Sequence, residues 1–209
     1  GLCKIPFVGC PGTIDNDLVG TDFTIGYDTA INTVVNAVDK IRDTAESHDR
    51  VFIVEVMGRD AGLIALRSGI ASGAEGILIQ ESKNDLDRIL TRLERGRKSK
   101  NSKIIMVAEG DESGGAYKVA ELVKQKFPEI DLRISILGHV QRGGSPTAFD
   151  RVLATRFGLH AITAIAEGDY GKMVALHGTD IKRVPLASAT TELKLVKPEL
   201  YKEAEVFFG

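Results

Sequence analysis

Short β-branched runs alternate along the chain with longer stretches of helical periodicity. Ile5 to Cys10 reads as a strand, and Ile25 to Ala45 as a helix with Ile31, Val34, Val35, Val38 and Ile41 on one face. Val51 to Val56 is nearly all apolar, the pattern of a strand buried on both faces. The spacing then predicts a helix over Gly62–Ser72, a strand over Gly76–Ile79, a helix over Leu86–Arg97 and a strand over Lys103–Val107. Tyr117–Lys126 follows as helix and Arg133–Leu137 as strand. Ser145 and Pro146 offer an N-cap and a first helical residue for a helix reaching about Glu167. Met173–Leu176 is a last short strand before an irregular tail and a final helix over Pro198–Ala204. This alternation predicts an α/β fold with a doubly wound, mostly parallel sheet.

In such sheets ligands bind beyond the carboxyl ends of the strands. Those ends carry Gly12-Thr13-Ile14-Asp15-Asn16-Asp17 after the first strand and Met57-Gly58-Arg59-Asp60 after the second. Glu109-Gly110 closes the fourth, and the fifth runs into Gly138-His139-Val140-Gln141-Arg142. Glycine lets backbone approach a ligand, and Arg and His bring charge to an anion. Carboxylates supply a base, a metal ligand or hydroxyl acceptors. The collection suits a phosphorylated, hydroxyl-rich small molecule.

Each piece also has a plainer reading. Asp15 and Asp17 could be turn formers, Arg59 could pair with Asp60, and Glu109 could meet any core cation. Arg95 to Lys103 reads as a solvated helix end. In an extended segment, though, Thr13, Asp15 and Asp17 share one face, which suits phosphoryl transfer. One Asp would take the proton of the attacking alcohol, and the other would help to hold Mg²⁺.

A net charge of −2 argues against a general nucleic-acid binder, and no apolar stretch approaches membrane-spanning length. Cys3 and Cys10 are expected to be reduced core thiols of a cytoplasmic protein. The opening Gly1, almost directly before a strand, suggests a piece lacking its upstream part, or a cleaved tag. No phosphate loop of the G-x-x-x-x-G-K-[ST] type, no G-x-G-x-x-G fingerprint and no zinc spacing occurs.

The segments "PGTIDND", "VEVMGRDAG" and "LGHVQRGGSPTAFDR" together resemble signatures of the 6-phosphofructokinase family, in that family's order. The resemblance implies transfer of the γ-phosphate of MgATP to the 1-hydroxyl of fructose 6-phosphate. It makes Asp15 the base, places Asp17 near the metal and sets Thr13 and Ile14 against the reacting groups. Met57, Gly58 and Arg59 would line the sugar, Arg59 also stabilising the moving phosphate, and Glu109 would accept sugar hydroxyls. The 6-phosphate would meet the His139, Val140, Gln141 and Arg142 segment, joined by Arg50 and Arg133 from a neighbouring subunit of a homotetramer. Gly12 stands where pyrophosphate-dependent relatives carry Lys, which implies ATP as donor. Arg42, Gly73, Glu75, Lys98 and Lys100 resemble an allosteric site for a nucleotide or phosphoenolpyruvate.

By the same resemblance, residues 29–140 with 190–209 would bind sugar phosphate, and 1–28 with 141–189 would belong to a nucleotide domain whose upstream portion is absent. The chain alone is then expected to bind sugar phosphate weakly and to turn nothing over. Competing readings are a regulatory sugar-phosphate-binding subunit and a pyrophosphate-dependent enzyme. A lipid-kinase relative would have no need of the "GHVQRGG" segment.

Overall fold

The computed structural model describes residues 5–45, 50–82, 85–96 and 102–205. The chain divides into two compact units, Gly1–Thr29 with Ser145–Lys194 and Ala30–Gly144 with Leu195–Gly209.

In the first unit, β1 (Val8–Gly9) runs parallel to β6 (Lys172–His177), and β7 (Asp180–Pro185) returns antiparallel on its other side. Successive β6 side chains point to opposite faces. Val174 and Leu176 pack with Leu153, Phe157 and Ala161 of α5 (Ala148–Ala166), while Met173 and Ala175 pack with Ala189 of α6 (Leu186–Thr190).

Several expectations are corrected here. The first strand is only two residues long, Ile5 is 76 % exposed, and Cys10 is exposed, so it is no core thiol; Cys3 lies outside the described residues. The irregular tail contains β7 and α6. Gly178 and Thr179 form the two-residue loop that turns β6 back on itself, with Gly178 at φ 60°. The cap of α5 is Thr147, whose hydroxyl accepts from Asp150 N at 3.2 Å, and Ser145 and Pro146 precede the helix.

The second unit is built on four parallel strands in the order β3-β4-β2-β5, comprising β2 (Arg50–Val56), β3 (Gly76–Leu78), β4 (Ser102–Ala108) and β5 (Asp131–Ile136). Between them in sequence lie α2 (Leu63–Ala71), α3 (Asp85–Gly96) and α4 (Gly115–Lys126). Residues of α3 and α4 pack with Leu78, Ile105 and Val107. α2 lies on the other face, where a Cβ on Gly69 would stand 2.5 Å from Ile77 and 3.2 Å from Met106. α7 (Pro198–Glu205) returns to this unit, with the Tyr201 hydroxyl donating to Ile77 O at 3.1 Å. Lys103 is another correction: it is buried on β4, not part of a solvated helix end.

This winding fixes where a ligand can enter. The chain leaves β2 toward β3 through α2 on one face, and leaves β4 toward β5 through α4 on the other. β2 and β4 are neighbours, so their exit loops meet at the carboxyl ends of the sheet, the edge at which ligands bind in such folds. α1 (Tyr27–Ala45) starts after Gly26, left-handed at φ 103°, and buries Ile31, Val34 and Val38 of its apolar stripe.

Candidate active site

Among the described residues, two non-glycine residues have positive φ: Asn16 at 55° and Arg59 at 51°. Each stands in a strand-exit loop singled out from the sequence. Such backbone is costly for a side-chain-bearing residue, so something must hold it.

In the first unit, Asn16 turns the chain between Asp15 and Asp17. The extended face expected to carry Thr13, Asp15 and Asp17 together is therefore broken. Thr13 and Asp15 remain joined: Asp15 N donates to Thr13 Oγ1 at 3.2 Å, and Thr13 Oγ1 donates more loosely to Asp15 Oδ2 at 3.4 Å. Asp15 is 3 % exposed. Ile14 and Asp17 are half-buried, and Asp17 O accepts from Lys194 N at 2.8 Å. The loop is held from the segment that follows it. Thr24, fully buried, donates through its hydroxyl to Thr13 O at 2.6 Å and through its amide to Asn16 Oδ1 at 2.9 Å. Asn16 Nδ2 donates to Asp22 O at 3.1 Å. Gly12 is exposed, and a Cβ there would meet nothing within 4 Å.

In the second unit the strand-exit loops are tied across the strands. Glu109 Oε1 accepts from Gly58 N at 3.2 Å and Arg59 N at 2.8 Å, so this carboxylate braces the loop. Gln80 Nε2 donates to Arg59 O at 2.9 Å. Gln141, 1 % exposed, accepts from Met57 N at 3.3 Å and donates to Gly138 O at 3.1 Å, locking the 3-10 turn Gly138–Arg142 beside the β2 exit. His139, Val140 and Arg142 stand exposed on that turn.

Arg50 and Arg133 are elsewhere. Arg50 opens β2, six residues or about 20 Å of strand before its exit. It meets Asp131 at 2.7 Å, and Arg133 meets the same carboxylate at 2.9 Å. The Arg50 hydrogen bond, with Arg133 adding charge, holds the Asp131 carboxyl below its usual range. Arg42 donates to Ser72 O at 2.6 Å and Gly73 O at 3.3 Å, and Glu75 accepts from Ile104 N at 2.6 Å. Lys98 and Lys100 lie outside the described residues.

Sequence reasoning missed Thr24 and Gln80. The second was within reach, because Gln80 follows the apolar end of β3, whose exit was not among the segments singled out from the sequence.

The family described as Phosphofructokinase matches residues 2–165. The chain is 55 % identical over 197 residues to the ATP-dependent 6-phosphofructokinase 2 of Bacteroides thetaiotaomicron, covering 94 % of this chain and 60 % of that relative. It is 51 % identical over 225 residues to the pyrophosphate–fructose 6-phosphate 1-phosphotransferase of Amycolatopsis methanolica, covering 98 % of this chain and 66 % of that one. Among solved structures, phosphofructokinase from Saccharomyces cerevisiae superposes with a TM-score of 0.82 at 35 % identity, over 98 % of this chain and 27 % of that chain. The chain thus spans less than two thirds of the length of each of these relatives.

Proposed function

This chain belongs to the phosphofructokinase family, and we propose that its protein transfers the γ-phosphate of MgATP to the 1-hydroxyl of fructose 6-phosphate, a step of glycolysis. The observation that carries this reading is Asp15, a carboxylate 3 % exposed and bonded to Thr13 in the loop after β1. A base shielded from water and braced by a hydroxyl suits removal of the alcohol's proton as it attacks phosphorus. Arg59 offers a guanidinium to the moving phosphoryl group, and His139 and Arg142 offer exposed donors to the 6-phosphate.

Mg²⁺ takes one or two protein carboxylates and otherwise phosphate oxygens and water. Asp17 fits that demand: its half-buried carboxylate makes no hydrogen bond to the described residues. When bound, the ion would neutralise charge on the phosphates.

The open space at Gly12 favours a nucleotide donor, since no packing demands glycine there. Pyrophosphate is the second reading, favoured by the 51 % identity to a pyrophosphate-dependent relative. Arg50 opens β2 and Arg133 lies mid-strand on β5, both paired with Asp131 and away from the turn of His139 and Arg142, which supports their serving another copy's phosphate site in a homotetramer. Arg42 against the Ser72 and Gly73 carbonyls, near Glu75, supports an effector site. Among the described residues no helix is long and apolar enough to cross a membrane, and the cytoplasm is the proposed location.

The test is steady-state turnover of fructose 6-phosphate by the full-length protein with each donor. ATP is expected to serve and pyrophosphate not. Faster turnover with pyrophosphate would overturn the donor assignment, and none with either would overturn the activity.

A further inference from the structure

We infer that Gln80 is a positioning residue for Arg59, holding its backbone left-handed so that the guanidinium is aimed before substrate arrives; the catalytic part of this rests on the function proposed above. Arg59 sits at φ 51°, where a residue with a Cβ does not stay unaided. Its amide is held by Glu109 Oε1 at 2.8 Å and its carbonyl by Gln80 Nε2 at 2.9 Å, so the peptide groups on both sides of its Cα are fixed. Gly110 makes the second bond possible. A Cβ there would stand 2.3 Å from Arg59 O and 3.0 Å from Gln80 Nε2.

Gln80 gains little else from its position. Its Oε1 is buried and pairs with no described group, so the carboxamide is anchored through its nitrogen alone. Turning the amide over would set oxygen against the Arg59 carbonyl. Without the Gln80 donor, Arg59 can relax to an ordinary backbone conformation, which swings its Cα–Cβ bond and displaces the guanidinium. Misplacement of about 1 Å can cost about 10²-fold in rate.

Gln80→Met keeps length and removes the donor. It is expected to lower kcat by about 10- to 100-fold with little change in the KM for the phosphoryl donor. In an Arg59→Ala background the same change is expected to add nothing, because Gln80 acts through Arg59. Independently of activity, the backbone NMR shifts and the amide–Hα coupling of Arg59 should lose their left-handed signature in Gln80→Met. A retained signature overturns the inference, as does a rate loss that persists in full beside Arg59→Ala. If the unaltered protein turns over no sugar phosphate while Gln80→Met still releases Arg59, the assigned reaction fails and the backbone clamp stands.

Discussion

The loop that carries Asp15 and the loop that carries Arg59 solve one problem by different means. Each follows a parallel strand and contains a left-handed residue with a side chain. Asn16 is held by Asp22 and Thr24, six and eight residues away. Arg59 is held by Gln80 and Glu109, 21 and 50 residues away, on the exits of β3 and β4. The first brace is local, and closes as soon as the chain turns back on itself. The second exists only when three strands stand side by side in register. The Asp15 loop should therefore tolerate damage to the second unit's sheet better than the Arg59 loop does.

The largest effect should come from Asp15→Asn. A positioned base is worth about 10²–10⁴-fold in rate, so kcat should fall by that much with the KM for fructose 6-phosphate nearly unchanged. If binding and turnover fell together, Asp15 would be a binding group and its contrast with the Gly138–Arg142 turn, proposed to hold the 6-phosphate, would disappear.

Next come the braces themselves. Thr24→Val removes the hydroxyl donor to Thr13 O while keeping the amide bond to Asn16 Oδ1, a loss of about 1–3 kcal/mol for a partner left unmet. Gly110→Ala forces a Cβ against Arg59 O and should cost about 1–3 kcal/mol as overpacking. Amide hydrogen exchange separates the two: Thr24→Val should speed exchange at residues 11–26, and Gly110→Ala at residues 57–62. Equal loosening of both loops by either variant would show that they are not separately braced.

A smaller effect is expected from Arg142→Lys on the 3-10 turn. It keeps the charge but loses the planar fork, and titration should show fructose 6-phosphate binding weakened by about tenfold. Unchanged affinity would move the phosphate site off this turn.

The smallest effect belongs to the far end of the second sheet. Asp131 is held below its usual pKa by the Arg50 hydrogen bond, so its contribution is present above the ordinary carboxylate value of about 4. It is lost as pH falls through the depressed folded value. Asp131→Asn should thus lower Tm slightly at neutral pH, and the difference from the parent should vanish in strong acid. A difference that grew in acid would mean that another group sets the pairing.

How far each loop could be read beforehand follows from the same distances. The Pro-Gly turn and the closely spaced acids of "CPGTIDND" announced a strand exit with chemistry. Strict alternation then put Asp17 on the face of Asp15, and the left-handed Asn16 broke it, because a side-chain hydrogen bond outweighed extended periodicity. Glu109 was legible as a polar residue ending an apolar strand, but not its partner, since nothing near it in sequence names residues 58 and 59. β7 went unread although Gly178-Thr179 marks a two-residue hairpin, because its charged, half-exposed residues lack the apolar signature of the other strands.

The sequence by itself determined the element types of the alternating core, the glycine and proline turns and the chemical character of the strand exits. These depend on backbone preference and on burial of one face or both, which a local stretch of residues encodes. Only the tertiary structure decided that β4, not β3, lies beside β2, and so which polar residues meet at the strand exits. Strand order is set by how the crossing helices cover the two faces of the whole sheet. Gln80, Glu109 and Gly110 therefore acquire their hold on Arg59 only once that sheet has closed.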